Sequence, residues 1–191
     1  MSIFDEHRKE VKEKIYNAAI SLFQSKGYEK TSILEITEFV GMAKGTFYNF
    51  YASKTDVLFA WAQNVFNNLN IEETIKTGRT TEQNLYLLVD IITKAIEESQ
   101  GLFRTFLYEL LRLQGDEQQT KSFDFITLYE SILRNSSDGN GILADDAETK
   151  VEMINSVLFM GIINWFDKHA ESKGLSSHLK KSVKLLINGI L

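Results

Sequence analysis

Apolar residues recur every three or four positions along most of the chain, which is the spacing of helices buried on one side. Near the N-terminus this spacing predicts a helix over about 6–26, which ends at Gly27. Its apolar positions are Val11, Ile15, Ala18, Ala19, Leu22 and Phe23. Six further helices are predicted behind residue 53, at about 54–71, after Gly78, after Gly101, and over about 117–135, 146–172 and 176–189. In the segment after Gly78, Thr80 and Gln83 have the spacing of a capping box. With two short helices between the first helix and these six, we expect nine helices and an all-α fold.

The two short helices are separated by a glycine turn. Ser32 and Glu35 have the spacing of a capping box at the start of the first, whose apolar positions are Ile33, Ile36, Phe39 and Val40. Gly41 ends it, and the second is predicted over about 44–51, before Ser53 caps the long helix. A braced helix, a tight turn and a second short helix form the helix-turn-helix arrangement.

The second short helix has two unlike sides. At 100° per residue, Ala43, Phe47, Phe50 and Tyr51 fall on one side, and Gly45, Tyr48 and Asn49 on the other, with Lys44 and Thr46 on the flanks. The outer side offers hydroxyl, amide and ammonium groups, which suit base edges and phosphates. Because the same arrangement occurs in helical proteins that bind no nucleic acid, spacing alone leaves both interpretations open.

Composition supports the helical fold and narrows the chemistry. Proline is absent, so nothing interrupts a helix, and 43% of the 191 residues are hydrophobic, enough for a globular core. Cysteine is also absent, which excludes disulfides, thiolate metal sites and a cysteine nucleophile. The charged N-terminus and the lack of any run of about 18 uncharged apolar residues predict neither a signal peptide nor a membrane span. We therefore expect a cytoplasmic protein.

The net charge of −5 argues against a nucleic-acid partner, but its distribution is uneven. Residues 1–54 carry eight Lys and Arg against seven Asp and Glu, whereas the remainder carries thirteen against nineteen. Only the front quarter of the chain would not repel phosphates on balance.

Residues 22–58, "LFQSKGYEKTSILEITEFVGMAKGTFYNFYASKTDVL", resemble the DNA-binding head of the tetracycline-repressor (TetR) family. The matching positions are Phe23, Gly27, Tyr28, Thr31, Ser32, Ile36, Gly41, Lys44, Gly45, Thr46, Tyr48, Ser53, Lys54 and Leu58. The resemblance covers about the first 60 residues, and beyond them only length and helix count agree with the family.

The resemblance implies a role for each DNA-binding residue. Thr31 and Ser32 would hold a phosphate at the start of the bracing helix, and Tyr48 and Lys54 would contact phosphates on either side of the recognition helix. Lys44, Gly45, Thr46 and Asn49 would face the major groove. Ala43 departs from the family pattern, which has a capping serine there, and the missing cap weakens the recognition helix by about 1 kcal/mol.

The last two predicted helices suggest a twofold dimer, as the family uses. The segment "VLFMGIINWF" (157–166) is apolar on nearly every side, so one of its faces needs a cover beyond its own domain. A four-helix interface is expected. Its residues would be Val157, Met160, Gly161, Asn164, Leu179, Val183, Leu186 and Ile190. The alternative is that these helices fill the core of a monomer.

Inward aromatic residues in the middle of the chain are the candidates for an effector pocket, because family members enclose an apolar cavity for a small inducer there. They are Trp61, Phe66, Phe103, Phe106, Phe125, Tyr129 and Phe166. Aromatic residues at helical spacing also commonly fill a core, so packing is the alternative for each of them.

The resemblance implies a dimeric transcription regulator, a repressor released from a palindromic operator when a small hydrophobic effector binds. Residues 1–53 would bind DNA, and residues 54–191 would bind effector and dimerise, with 54–71 as the connecting helix. A helical small-molecule-binding or scaffold protein without DNA binding is the alternative. An enzyme is not expected, because His7, His169 and His178 are scattered and no cofactor or metal motif is present.

Overall fold

The computed structural model of the chain describes residues 3–71, 78–99, 101–113, 125–138, 147–169 and 173–190. Within these ranges it contains nine α-helices and no strand, which confirms the predicted all-α fold. The helices are α1 (Ile3–Lys26), α2 (Ile33–Phe39), α3 (Lys44–Tyr48), α4 (Lys54–Asn68), α5 (Thr81–Glu98), α6 (Leu102–Arg112), α7 (Phe125–Asn135), α8 (Ala147–Lys168) and α9 (Leu175–Ile190). Every described helix is too short or too polar to span a membrane.

The helix boundaries lie close to the predicted ones, with two differences. α3 ends at Tyr48 and not near residue 51, because the N–H groups of Phe50 and Tyr51 both donate to the carbonyl of Phe47 at 3.0 Å and turn the chain away. α7 is seen only from Phe125, and the earlier part of the predicted helix lies outside the described residues.

Capping residues begin three of the helices as predicted. Ser32 and Glu35 form a complete capping box at α2, and Thr80 and Gln83 form another at α5. At α4 the N–H of Ser53 donates to Asp56 at 2.6 Å, while the N–H of Asp56 donates to the hydroxyl of Ser53 at 3.2 Å. These bonds satisfy N–H groups that a helix start otherwise leaves without a partner.

The helices fall into two compact units. The first unit comprises Met1–Val65 and Gln100–Arg112, and the second comprises Phe66–Ser99 and Leu113–Leu191. α6 therefore belongs to the first unit, although the chain on both sides of it belongs to the second.

Aromatic residues of α4 and α6 contact one another in the first unit. The rings of Phe59 and Phe106 lie 5.2 Å apart, those of Trp61 and Phe103 lie 6.4 Å apart, and all are arranged edge to face. Such pairs contribute about 0.5–1.5 kcal/mol each beyond the burial of their surface. α6 is thus held on α4 by a cluster of rings.

The second unit is built from α5, α7, α8 and α9, which contact one another in four pairings. Its core is aliphatic, with Leu85, Leu88, Ile132, Leu133, Ile154, Leu158 and Val183 almost completely buried. At the surface, Asp90 of α5 accepts hydrogen bonds from Ser176 at 2.9 Å and Lys180 at 2.6 Å, both on α9. The predicted apolar stripes of these helices therefore meet within one unit.

Candidate functional site

The turn between α2 and α3 has the geometry that a helix-turn-helix requires. Gly41 has a φ of +68°, a left-handed conformation that glycine adopts without strain. The N–H of Met42 then donates to the carbonyl of Thr37 at 2.8 Å and closes the turn. Thr37 is fully buried, and its hydroxyl donates to the carbonyls of Ile33 and Leu34.

α3 is fixed from one side only. Phe47 is completely buried, and its ring lies 5.8 Å from the ring of Tyr51, which is 7% exposed. Burial raises the pKa of Tyr51 to about 12. The ammonium of Lys12 lies 5.5 Å from the Tyr51 ring, and the guanidinium of Arg8 lies 5.7 Å from the Phe50 ring. These contacts tie the short α3 and the residues after it to α1.

The opposite side of α3 faces outward. Lys44, Gly45, Tyr48 and Asn49 are exposed, and Thr46 is half-buried. Tyr48 is half exposed although it is aromatic, and its ring contacts the buried Phe47 edge to face at 5.7 Å. The outer surface thus carries an ammonium, a phenol and an amide around a glycine, and it matches the predicted recognition side.

The N-cap of α3 has no side-chain hydrogen bond. Ala43 occupies the cap position in an extended conformation, as the sequence predicted. The first turn of α3 therefore depends on the buried Phe47 and not on a cap.

The side chain of Thr31 is bonded inside the protein. Its side chain is 2% exposed, and the hydroxyl donates to the carbonyl of Gly27 at 2.8 Å. A buried hydroxyl with an internal acceptor cannot reach a phosphate without losing that bond. In this structure Thr31 therefore holds the end of α1 to the start of α2, and a phosphate contact by this residue stays a prediction.

Lys54 is also engaged inside the protein. Its ammonium donates to the carbonyls of Tyr28 and Thr31 at 2.8 and 2.7 Å, and it lies 4.5 Å from the centre of the Tyr28 ring. Burial lowers the pKa of Lys54. Two of its three N–H groups are thus occupied in joining α4 to the turn before α2, so the first role of Lys54 is to position that turn.

Ser32 remains exposed at the start of α2. Its N–H and its hydroxyl both donate to the carboxylate of Glu35, at 2.8 and 2.9 Å, and Glu35 also pairs with Lys26. The hydrogen bond from Lys26, followed by those from Ser32, lowers the pKa of Glu35 to about 2. A carboxylate that is ionised at neutral pH therefore lies beside the predicted phosphate site, with Lys26 as its counter-charge.

A buried carboxylate in the first unit was not predicted from sequence. Glu109 of α6 is 6% exposed. Among the residues whose burial is described, it is the only charged one that is buried. It accepts a hydrogen bond from Arg112 at 2.7 Å and lies 3.5 Å from the hydroxyl of Thr55, which itself lies 3.0 Å from the hydroxyl of Tyr28. In the sequence, Glu109 and Arg112 look like an ordinary ion pair on the surface of a helix, three residues apart. No local signal therefore indicated that the carboxylate of Glu109 is buried.

Most predicted pocket residues are packed inside their units. In the first unit Trp61 packs on Phe103, and Phe106 packs on Phe59, and all of these rings are buried. In the second unit Tyr129 and Phe166 are buried. Phe66 is partly exposed, and the side chain of Phe125 lies outside the described residues. The assignment of these residues to an effector pocket remains a prediction.

The predicted dimer residues are divided between core and surface. Leu179 and Val183 are 1% and 0% exposed, so both are already covered within their own protomer, and their part in a dimer interface stays a prediction. A Cβ on Gly161 would lie 2.8 Å from the Cδ2 of Leu179, which shows that this glycine brings α8 close to α9 of the same protomer. The side chain of Ile190 lies outside the described residues.

An open groove on the second unit contains the remaining dimer candidates. Val157, Met160, Gly161, Asn164 and Leu186 line it together with residues that were not among the predicted dimer residues, namely Ser156, His178, Ser182 and Leu185. Met160 and Leu185 are 43% and 66% exposed. Large apolar side chains therefore remain uncovered on the α8 and α9 side of this unit.

Comparisons with known proteins agree with this geometry. Residues 15–61, from the middle of α1 into α4, match the family of bacterial regulatory proteins described as the tetR family. The transcriptional repressor KstR of Rhodococcus jostii is 20% identical over 185 residues, which cover 94% of this chain and 84% of the repressor.

Two solved structures share the whole fold. One is Thermus thermophilus FadR, a TetR-family transcriptional repressor in complex with lauroyl-CoA, with a TM-score of 0.78, 24% identity and coverage of 94% of this chain and 95% of that one. The other is the Bacillus subtilis regulator FadR in complex with stearoyl-CoA, with a TM-score of 0.68, 21% identity and coverage of 93% and 98%. Residues 15–61 therefore match the DNA-binding domain of the tetR family of bacterial regulatory proteins, and along its length the chain is similar in fold to TetR-family transcriptional repressors.

Proposed function

We propose that the protein is a homodimeric repressor that binds a palindromic operator and leaves it when an acyl thioester of coenzyme A binds. The observation that carries the proposal is the division of α3, where Phe47 is completely buried while Lys44, Gly45, Tyr48 and Asn49 are exposed. A helix anchored on one side and polar on the other is suited to the major groove.

The DNA-binding residues divide into contacting and positioning groups. Lys44, Gly45, Thr46 and Asn49 face base edges, and Tyr48 contacts a phosphate. Ser32 is exposed and contacts a phosphate when its hydroxyl turns to it from the carboxylate of Glu35. Thr31 and Lys54 position the turn before α2, since their polar groups already bond to backbone carbonyls. We assign DNA binding to residues 1–53, and effector binding and dimerisation to residues 54–191, with 54–71 as the connecting helix.

The effector class is supported by the fold. The two FadR structures that share the architecture contain lauroyl-CoA and stearoyl-CoA, which combine a long apolar chain with a polar head. The interior of the second unit is aliphatic, which suits such a chain. Of the pocket candidates predicted from the sequence, the proposal uses those of the second unit, Phe66, Phe125, Tyr129 and Phe166.

The dimer is supported by the groove on α8 and α9. Exposed apolar side chains that lie together are characteristic of protein interfaces. Met160 and Leu185 would form its centre, and Asn164 with Ser182 its polar margin. A twofold dimer presents two copies of α3, so we expect operator half-sites about 34–36 Å apart or a multiple of that spacing.

Selection of duplexes from a random-sequence library with the purified full-length protein tests the DNA-binding proposal. We expect a palindromic sequence, bound with an affinity that falls steeply with salt concentration. Recovery of no sequence above background would favour the alternative of a helical binding protein that does not recognise DNA.

Titration of the protein–operator complex tests the effector class. Lauroyl-CoA and stearoyl-CoA should release the labelled operator at micromolar concentration, whereas coenzyme A alone and free laurate should not. Release by none of these compounds would reject the acyl thioester while leaving operator binding intact.

A further inference from the structure

α2 carries an exposed leucine that neither the core nor the proposed contacts use. Leu34 is 49% exposed and lies two residues after the cap Ser32, whereas Ile36 and Thr37 on the same helix are completely buried. Ile36 and Thr37 therefore form the buried side of α2, and Leu34 lies outside it.

The surroundings of Leu34 place it beside the start of the recognition helix. Leu34, Ser32 and Lys44 line the same open groove of the first unit. Lys44 is the first residue of α3, and Ser32 is the exposed residue at the start of α2. Phe39 is more exposed, at 65%, but it is not among the residues that line this groove. Leu34 therefore lies beside the first residue of α3, on the surface that the proposed function assigns to DNA.

The chemistry of the major groove limits what a leucine can contact there. Base edges in that groove present hydrogen-bond donors and acceptors, which an aliphatic side chain cannot pair. The apolar group on a major-groove edge is the C5-methyl of thymine. An aliphatic side chain against this methyl removes apolar surface of both partners from water.

We propose that Leu34 contacts the methyl group of one thymine in each operator half-site and thereby determines specificity at that base pair. The inference rests on the proposed operator binding and adds a base-reading residue on α2 to those on α3. It predicts a preference for thymine over uracil at that position, since uracil differs from thymine only by the methyl group.

The test uses the duplex selected by the full-length wild-type protein. Each thymine of one half-site is replaced in turn by uracil, and affinity is measured by fluorescence anisotropy for the wild type, Leu34→Ala and Phe39→Ala. We expect one uracil to weaken wild-type binding by about fourfold, the loss expected for one buried carbon group. Leu34→Ala should bind the thymine duplex at least about fourfold more weakly and show no further loss with that uracil.

Phe39→Ala is the matched control, since it truncates an exposed apolar side chain of the same helix outside the groove. It should keep the wild-type sensitivity to uracil. Leu34→Met, which retains an apolar side chain of similar size, should also keep it. Circular dichroism and thermal unfolding of each variant should match the wild type.

The outcomes separate this inference from the proposed function. If a specific duplex is selected but no single uracil affects wild-type binding, or if Leu34→Ala remains as sensitive as the wild type, the contact does not exist and the proposed function stands. If no specific duplex is selected, operator binding and the Leu34 contact are both rejected.

Discussion

Phe47 and Tyr48 are neighbouring aromatic residues with opposite environments. Phe47 is completely buried, whereas Tyr48 is half exposed on the recognition side of α3. Tyr48→Phe removes only the hydroxyl, so operator affinity should fall by about tenfold, the loss expected for one hydrogen bond to a charged group. The free energy of unfolding should change by less than about 0.5 kcal/mol. Anisotropy with the selected operator and urea denaturation measure the two quantities.

Phe47→Ala provides the contrasting variant. Removal of a completely buried ring should lower the free energy of unfolding by about 3–5 kcal/mol, which urea denaturation will detect directly. Unchanged operator binding by Tyr48→Phe would show that the phenol hydroxyl makes no phosphate contact.

Glu35 makes the stability of the first unit decrease at acidic pH. Hydrogen bonds from Lys26 and Ser32 lower its pKa from 4.5 to about 2 in the folded protein. Because the folded state favours the carboxylate, its contribution is complete above the unfolded pKa and is lost as the pH falls from 4.5 towards 2. Thermal unfolding should therefore show that Glu35→Gln is less stable than the wild type at neutral pH and that the difference shrinks through this range.

Glu38→Gln serves as the control for this pH dependence. Glu38 is an exposed carboxylate near the other end of α2. Its replacement removes a carboxylate from the same helix but keeps the bonds of Glu35 with Lys26 and Ser32, so the loss of stability between pH 4.5 and 2 should remain. An equal pH dependence in Glu35→Gln and the wild type would contradict the assignment of the acid loss to Glu35.

At the scale of one element, α3 is a short helix without a cap. Ala43 makes no side-chain hydrogen bond at its start, while Ser32 caps α2 completely. Ala43→Ser should therefore stabilise the protein by about 1 kcal/mol, and Ser32→Ala should destabilise it by a similar amount. Urea denaturation of the two variants gives the comparison. If Ala43→Ser leaves the free energy of unfolding unchanged, the geometry at residue 43 does not permit a capping hydrogen bond.

Local sequence signals predicted the elements well. Ser32 with Glu35 and Thr80 with Gln83 were identified because a capping box depends on residues only three apart. The buried and exposed sides of α3 were identified because helical periodicity is also local, and Phe47 and Tyr48 are where it placed them. By contrast, Phe39 was expected on the apolar side of α2 and is 65% exposed, since it falls in the last turn of a seven-residue helix.

Contacts between distant parts of the chain could not be predicted in the same way. Lys54 has the charge of a phosphate ligand, and only the folded chain brings its ammonium to two carbonyls 23 and 26 residues away. Leu179 and Val183 form an apolar stripe that would suit a partner subunit as well as the protomer's own core. Periodicity shows which side of a helix is covered but not by which chain.

At the scale of the whole molecule, the groove on α8 and α9 predicts the oligomeric state. Leu185→Glu places a charge on its most exposed apolar side chain, and burial of that charge in an interface without a partner is costly. We expect the dimer dissociation constant to rise by at least about thirtyfold, as for an interface hot spot. Multi-angle light scattering at micromolar concentration should show a monomer, and operator affinity should fall with it.

Lys181→Glu is the control for the dimer prediction. Lys181 is exposed on the same helix but does not line the groove, so the same charge there should leave the dimer intact. A Leu185→Glu variant that remains dimeric would move the interface to another surface.

The inclusion of α6 in the first unit has a consequence for how the protein is made. The unit is completed by residues 100–112, so its last helix leaves the ribosome long after α1 to α4. Until then Phe59 and Trp61 lack the rings of Phe106 and Phe103 on which they pack. A fragment that stops at Val65 would expose this aromatic surface permanently. A gene fragment meant to produce the complete first unit must therefore extend through Arg112.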